Sequence, residues 1–334
     1  MIQESSDNFL RLEVDDADHG QRLDKFVSEK QNDLSRSQAK NLIDTGNVLL
    51  EGTSHKKVRA KLLVETGQVW RVKKVLPTES LIVAEDLPLH VLFEDDAIIV
   101  IDKAAGMVVH PGAGHTDGTL VNGLRYRYPD IQIGSELRPG LVHRLDKETS
   151  GVMIVARTEE AHRALSLAFA EREVEKKYLA FCYGRPKQDT FSLKTGHRRH
   201  ETDRRRFTTR LEPPHEEAKG IRFAHTDFMM RGSAQGVSYL DAVLHTGRTH
   251  QIRAHLADLG YPLIMDSLYG GLKPDKRIGP GPVQRAAKAL QRHGLHAASI
   301  AFKHPINREK VVFEAPLPED LKNLQHAILA ANSI

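Results

Sequence analysis

The chain of 334 residues has a single cysteine, Cys182. That excludes an internal disulfide and any cysteine-based zinc site, and a reducing, cytoplasmic setting fits both. Cys182 reads as a small core residue. No apolar run approaches the roughly 18 residues that a membrane span needs. Met1 to Asn8 carry neither a basic n-region nor an apolar h-region, so no signal peptide is expected. Several catalytic signatures are missing too: there is no H-E-x-x-H, no G-x-x-x-x-G-K-[ST] and no G-x-S-x-G. The histidine pairs His197/His200 and His250/His255 lack the i, i+4 spacing of a helical zinc pair, so no metal is expected.

What is present is a soluble globular composition, long enough for two domains. Net charge is only +4, but it is unevenly spread. Residues 1–19 hold six acids and one base, and read as a mobile acidic tail. Residues 20–76 hold twelve Lys/Arg and six Asp/Glu, a surplus of +6. That surplus fits a polyanion-binding module or a solvated basic face. Within it, Leu23, Phe26 and Val27 have helical spacing. Ser35 to Gln38 has the form of a capping box for a helix through Ile43, and Gly46 sits where a C′ glycine belongs. Val48-Leu49-Leu50 and Val69 to Val72 read as strands.

Residues 77–90, bounded by Pro77 and Pro88, read as a linker. Beyond it, residues 91–334 intersperse strand and helix signals without a regular βαβ repeat. Val91-Leu92-Phe93 and Ala97 to Ile101 look like buried strands. Lys177 to Phe181 and Ser238 to Leu244 are also strand-like. Thr158 can cap a helix carrying Leu165 and Phe169. Thr249 can cap another, with Ile252, Leu256 and Leu259 inward and Gly260 at its end. The expected class is α+β rather than doubly wound. Residues 194–236 and 272–294 read as basic inserted loops able to contact phosphate.

Two constellations could carry chemistry. In His143-Arg144-Leu145-Asp146-Lys147-Glu148-Thr149-Ser150-Gly151, Asp146 lies between two cations before an apolar strand. A carboxylate so placed stays ionised and can act as nucleophile or base; a surface salt-bridge cluster is the plain alternative. In Thr246-Gly247-Arg248-Thr249-His250-Gln251-Ile252-Arg253, His250 and Arg253 share one helix face. The tetrapeptide Arg-Leu-Asp-Lys occurs at 22–25 as well as at 144–147, so it proves little alone.

In longer context the chain resembles the family of pseudouridine synthases that includes the ribosomal enzymes RluA, RluC and RluD. Gly140 to Gly151 (GLVHRLDKETSG) resembles the family's catalytic motif. Asp102 to Gly112 (DKAAGMVVHPG), Lys176 to Ala180 (KKYLA) and Thr246 to Arg253 (TGRTHQIR) match three more, in order. Ala104-Ala105 replaces the usual proline, and Met265 stands where the family has glycine. Residues 20–76 resemble the small αL-type RNA-binding module named after ribosomal small-subunit protein four. The resemblance implies a mixed, mainly antiparallel central sheet with flanking helices and a central cleft. It implies Asp146 as nucleophile, Tyr178 stacked on the uracil and Arg253 paired with Asp146. Arg144 would displace the target base, and Arg22, Lys25, Arg36, Lys40, Arg248 and His250 would contact RNA. Tyr178 or Asp146 would take the C5 proton. No cofactor is implied, and no membrane; a monomer acting on large-subunit ribosomal RNA or its particles is expected. The alternatives are a transfer-RNA synthase, or a non-catalytic RNA-binding or assembly protein on the same fold.

Overall fold

A computed structural model describes residues 9–31, 36–52, 58–73, 82–112, 115–131, 133–135, 138–212, 220–270 and 278–332. The chain divides into two units, residues 1–80 and 81–334. In the first, strand β1 (Phe9–Glu13) precedes helices α1 (Leu23–Lys30) and α2 (Arg36–Asp44) and strands β2 (Val48–Leu50) and β3 (Val69–Lys73). The sheet order is β1-β3-β2, all antiparallel. Leu23, Phe26, Val27, Ile43, Val48 and Trp70 form its core. The proposed capping box at Ser35 lies partly outside the described residues. Gly46 has φ +78°, the left-handed conformation in which glycine ends a helix without strain.

The acidic tail needs correction. Residues 9–13 pair with β3, and Leu12 and Val14 are buried. The period-two apolar positions were hidden beneath the surrounding acids.

The second unit begins inside the expected linker: Ile82 is buried and Asn122 Nδ2 donates to the Val83 carbonyl at 2.8 Å. In order it contains β4 (His90–Glu94), β5 (Ile98–Lys103), α3 (Leu120–Arg127), β6 (Gly134–Ser135), β7 (Arg138–Pro139) and β8 (Ser150–Ala156). Then come α4 (Glu159–Ala170), β9 (Glu175–Tyr183), β10 (Thr190–Arg199), β11 (Phe207–Thr208), β12 (Arg222–Ala234) and β13 (Val237–Leu244). It closes with α5 (Gln251–Asp258), α6 (Pro282–Ala289), β14 (Leu295–Lys303), β15 (Lys310–Glu314) and α7 (Glu319–Asn332). Ten strands form one sheet, ordered β11-β10-β12-β13-β9-β14-β8-β5-β4, with β15 also on β14. The β14–β8 pair is parallel and the other pairs in it are antiparallel. The sheet is therefore mixed and mainly antiparallel, in an α+β unit. Among the described residues no helix is long and apolar enough to cross a membrane.

β5 and β8 are continuous apolar runs because they lie inside the sheet; every residue of β8 is buried. β4 is instead an edge strand, with Phe93 exposed, contrary to the expected burial. The two expected basic loops each contain regular structure among the described residues. Residues 194–199, 207–208 and 222–234 belong to β10, β11 and β12, a ribbon partly open to solvent. Within 272–294, Pro282 is the first residue of α6, a favoured helix start rather than loop punctuation.

One register line sets up the centre. Ala242 of β13 pairs with Tyr178 of β9, Tyr178 with Ala297 of β14, and Ala297 with Gly151 of β8. Small neighbours flank the one large ring. Gly151 has φ +115°, and a Cβ there would overlap the Ala297 carbonyl. Gly151→Ala should therefore cost about 3 kcal/mol, read by urea unfolding; a loss below about 1 kcal/mol would show that β8 and β14 part easily.

Candidate active site

Residues 143–149 lead into β8, and α5 starts soon after β13; the strands are staggered so that the start of β8 lies level with Tyr178 and with the end of β13, which brings the two loops together. Together with Tyr178, Phe169, Lys176 and Leu295 they line a cavity of about 390 Å³, within the size range of small-molecule sites. Arg253 Nη1 donates to Asp146 Oδ2 at 2.9 Å. The same guanidinium forks onto Asp266, Nε to Oδ2 at 2.7 Å and Nη2 to Oδ1 at 3.0 Å. The backbone N–H groups of Leu268 and Tyr269 also donate to Asp266 Oδ1, at 3.1 and 3.2 Å. His250 Nε2 is 3.8 Å from Asp146 Oδ2, and its Nδ1 shares a 3.2 Å hydrogen bond with the Tyr269 hydroxyl.

α5 is held by its own residues. Gln251 Oε1 accepts from Thr246 Oγ1 at 2.7 Å and from Arg248 N at 3.0 Å. Its Nε2 donates to the His225 carbonyl and to Thr226 Oγ1. The residue before the helix is His250, in the left-handed region with φ +57° and no side-chain cap, so Thr249 is not the cap expected. Leu259 is exposed rather than inward. Gly260, φ +94°, ends the helix.

Burial pushes the Asp146 carboxyl up, but the charges of His250 and Arg253 and the Arg253 hydrogen bond outweigh it, leaving it below the usual range. Burial also holds His250 below its ordinary value, hence neutral at pH 7, so Arg253 is the lasting positive partner. Burial, then the Asp146 charge, raises the Tyr178 phenol, which stays protonated. His143 is pushed down to about 3 by burial and Lys176; its neutral ring accepts from Ile154 N–H at 2.9 Å and stacks on Phe169.

The RNA pseudouridylate synthase family pattern matches residues 97–258, and the S4 domain pattern matches residues 21–69. A ribosomal large subunit pseudouridine synthase D of Xanthomonas campestris pv. campestris is 38% identical over 332 residues, 97% of this chain and 94% of that one. The chain belongs to the RNA pseudouridine synthases. The Vibrio cholerae protein of the same name is 36% identical to this synthase over 96% of the chain and 94% of its own. Two solved human structures, RNA pseudouridylate synthase domain containing 1 and 4, share its fold. They have TM-scores of 0.53 and 0.55 at 24% and 23% identity, and cover 75% and 72% of the synthase and 97% and 93% of their own chains.

The structure gathers Asp146, Tyr178, Arg253, Arg144, Arg248 and His250 around one cavity of the synthase, with Arg144 exposed. Arg248 Nε donates to the Phe223 carbonyl at 3.0 Å. The remaining expected RNA contacts are in the S4 unit, each paired with an acid. Arg22 and Arg36 meet the buried Asp24, Lys25 meets Glu29, and Lys40 meets Asp44. Sequence reasoning missed the role of Asp266. It follows Met265, which adopts φ +57° where a glycine would be free to do so.

The two histidine pairs weighed for metal are used otherwise: His197 Nε2 meets the Thr249 carbonyl, and His255 bridges Thr195 and Thr226. Another group, His225, Asp227 and His245, gathers nitrogen and carboxylate atoms within 4.8 Å. Its imidazoles stack at 4.0 Å with planes 15° apart, so their in-plane lone pairs do not converge on one ion. Both Nε2 atoms instead meet Asp227, at 3.1 and 2.7 Å.

Asp266 and Arg253 form a buried pair, and removing one partner strands the other. Asp266→Asn should destabilise the synthase by about 3 kcal/mol at pH 7, read by urea unfolding. The folded Asp266 carboxyl lies below its ordinary 3.8, because Arg253 outweighs the effect of burial. Its contribution is therefore complete above the unfolded value and is lost as pH falls through the folded one. The gap between wild type and variant should shrink below about pH 4; a gap constant down to acid pH would contradict this.

Proposed function

We propose that this synthase isomerises uridines of large-subunit ribosomal RNA, with Asp146 as nucleophile. The observation that carries the reading is the ionised Asp146 in a cavity it shares with a buried, protonated tyrosine. Two of the similar proteins are named for the large ribosomal subunit, which supports that target.

A uridine stacked in RNA is out of reach and must be flipped out, at a cost of a few kcal/mol. Exposed Arg144, at the cavity, is suited to fill the vacated space, and Tyr178 offers a ring for the uracil to stack on. Asp146 then cleaves the glycosidic bond. Its carboxylate either attacks C1′, with the bond electrons leaving on N1, or removes a C2′ proton to start elimination. The freed uracil turns and C5 bonds to C1′, displacing the Asp146 carboxylate in the first route or with the C2′ proton returned in the second; N1 gains a proton and the C5 proton is lost. A phenol held above its ordinary value is a poor acceptor for that proton, so Asp146 is the better one. Substrate and product contain the same atoms, so the step balances without a co-reactant.

Asp146→Asn should abolish tritium release from RNA carrying [5-³H]uridine while RNA affinity stays within a few-fold. A near-wild-type rate would remove Asp146 from the chemistry. Pseudouridine mapping of cells with and without the protein should show sites lost from large-subunit ribosomal RNA; losses confined to transfer RNA would overturn the target.

The S4 unit is read as the RNA anchor. Each phosphate contact on single strands adds about 0.7 to the slope of log affinity against log salt. Deleting residues 1–76 should weaken binding and lower that slope by about 2, measured by filter binding. An unchanged slope would show that the unit makes no phosphate contacts.

A further inference from the structure

The five residues from Asp146 to Ser150 are each held by a different buried basic side chain. Asp146 takes Arg253. The Lys147 carbonyl accepts from Lys103 Nζ at 3.1 Å, and the Glu148 carbonyl from Arg292 Nη1 at 3.3 Å. Thr149 Oγ1 shares a 2.8 Å hydrogen bond with His293 Nε2, and Ser150 Oγ a 2.9 Å one with His296 Nδ1. Burial holds both imidazoles below their ordinary value, so they act as neutral hydrogen-bonding groups.

Arg292 also reaches beyond the site. Its guanidinium forks onto Asp320, Nε to Oδ2 at 2.7 Å and Nη2 to Oδ1 at 2.9 Å, and Nη1 meets the Leu295 carbonyl as well. Asp320 lies in the first turn of α7, whose Leu321, Leu324 and Ile328 fill a second core with Phe181, Tyr183 and Val237. The planar fork fixes the direction of Nη1, which a lysine could not do.

We propose that Arg292, anchored on α7 by Asp320, is a positioning residue that fixes the 146–150 loop so that Asp146 stays on Arg253 and faces the substrate. The inference rests on Asp146 as nucleophile. It gives the C-terminal helix a part in turnover although α7 itself does not line the cavity. A shift of about 1 Å in a reacting group costs on the order of 100-fold in rate, while contacts to the RNA backbone need not change.

Two substitutions test this, measured by single-turnover kinetics and RNA affinity. Arg292→Lys keeps the charge; Asp320→Asn keeps the shape but removes the charge that aligns the fork. Arg292→Lys should slow the chemical step on the order of 100-fold, and Asp320→Asn about 10-fold, with RNA affinity near wild type. The acid limb of the rate profile should also move to higher pH. Asp146, faced by Arg253, His250, His293, Lys103, Tyr178 and Tyr269, would lose its arginine while burial still pushes it up. Lys322→Ala, exposed on the same helix, should leave the rate unchanged.

Wild-type rates in both variants, or slowed rates with an unmoved acid limb, would overturn the proposal. So would a loss that only tracks the unfolded fraction seen by circular dichroism. Should Arg292→Lys fail to fold, Asp320→Asn decides alone, since the Asp320 side chain is 37% exposed. A wild-type rate in Asp146→Asn is a separate result, which removes the nucleophile rather than its support.

Discussion

Arg253 is shared between two carboxylates in a place where none of the three groups has much water. Its side chain is 8% exposed and that of Asp266 is fully buried. The fork onto Asp266 sets the plane of the guanidinium, and two backbone N–H groups fix Asp266 in turn. What remains for Asp146 is a single nitrogen, already aimed. A carboxylate held that way is ionised without being saturated, which is what a nucleophile needs. A bidentate pair with Asp146 would have occupied both of its oxygens. The second acid thus does the structural work and leaves the first one reactive.

The sheet supplies the other constraint. Tyr178 lies between two alanines on neighbouring strands, on one register line with Gly151, where β8 leaves the Asp146 loop. Any larger residue at Gly151 would push β8 from β14, and with it the loop from the tyrosine. The small residues and the buried triad therefore serve one end: they hold a carboxylate and an aromatic ring around one cavity by backbone registration. Side-chain packing alone could not do this, because the carboxylate sits on a loop. The basic groups behind residues 147–150 extend the same logic to the loop's own backbone.

Much of this was legible in the sequence. The four motifs placed Asp146, Tyr178 and Arg253 by residue type, and apolar runs gave β5, β8, β9 and β13. What escaped has physical reasons. Leu12 and Val14 alternate correctly for a strand but sit among acids, so charge masked period. β10 and β12 turn Phe191, Leu193, Phe228 and Met230 to the core, but these few apolar positions are interrupted by Lys, Arg and His, so charge masked period there too. Pro282 looks the same in sequence whether it breaks a chain or starts a helix. Asp266 and Arg292 were invisible for another reason. Their importance lies in the third atom that each partner reaches, and no local pattern reports a bond spanning 144 positions.

The two copies of Arg-Leu-Asp-Lys make the same point from the other side. In the S4 unit, Asp24 is neutralised locally: Arg22, two residues earlier, forks onto it at 3.0 and 2.7 Å, and Arg36 adds a third contact at 3.3 Å. Its oxygens are occupied and it acts as a structural anchor for α1 and α2. In the catalytic unit the equivalent arginine, Arg144, is exposed, and Asp146 takes its cation from Arg253, 107 residues away. One tetrapeptide thus yields a spent carboxylate and an available one. The difference is set by which arginine arrives: a near neighbour on a flexible side chain can chelate, whereas Arg253, already committed to Asp266, can offer only one bond.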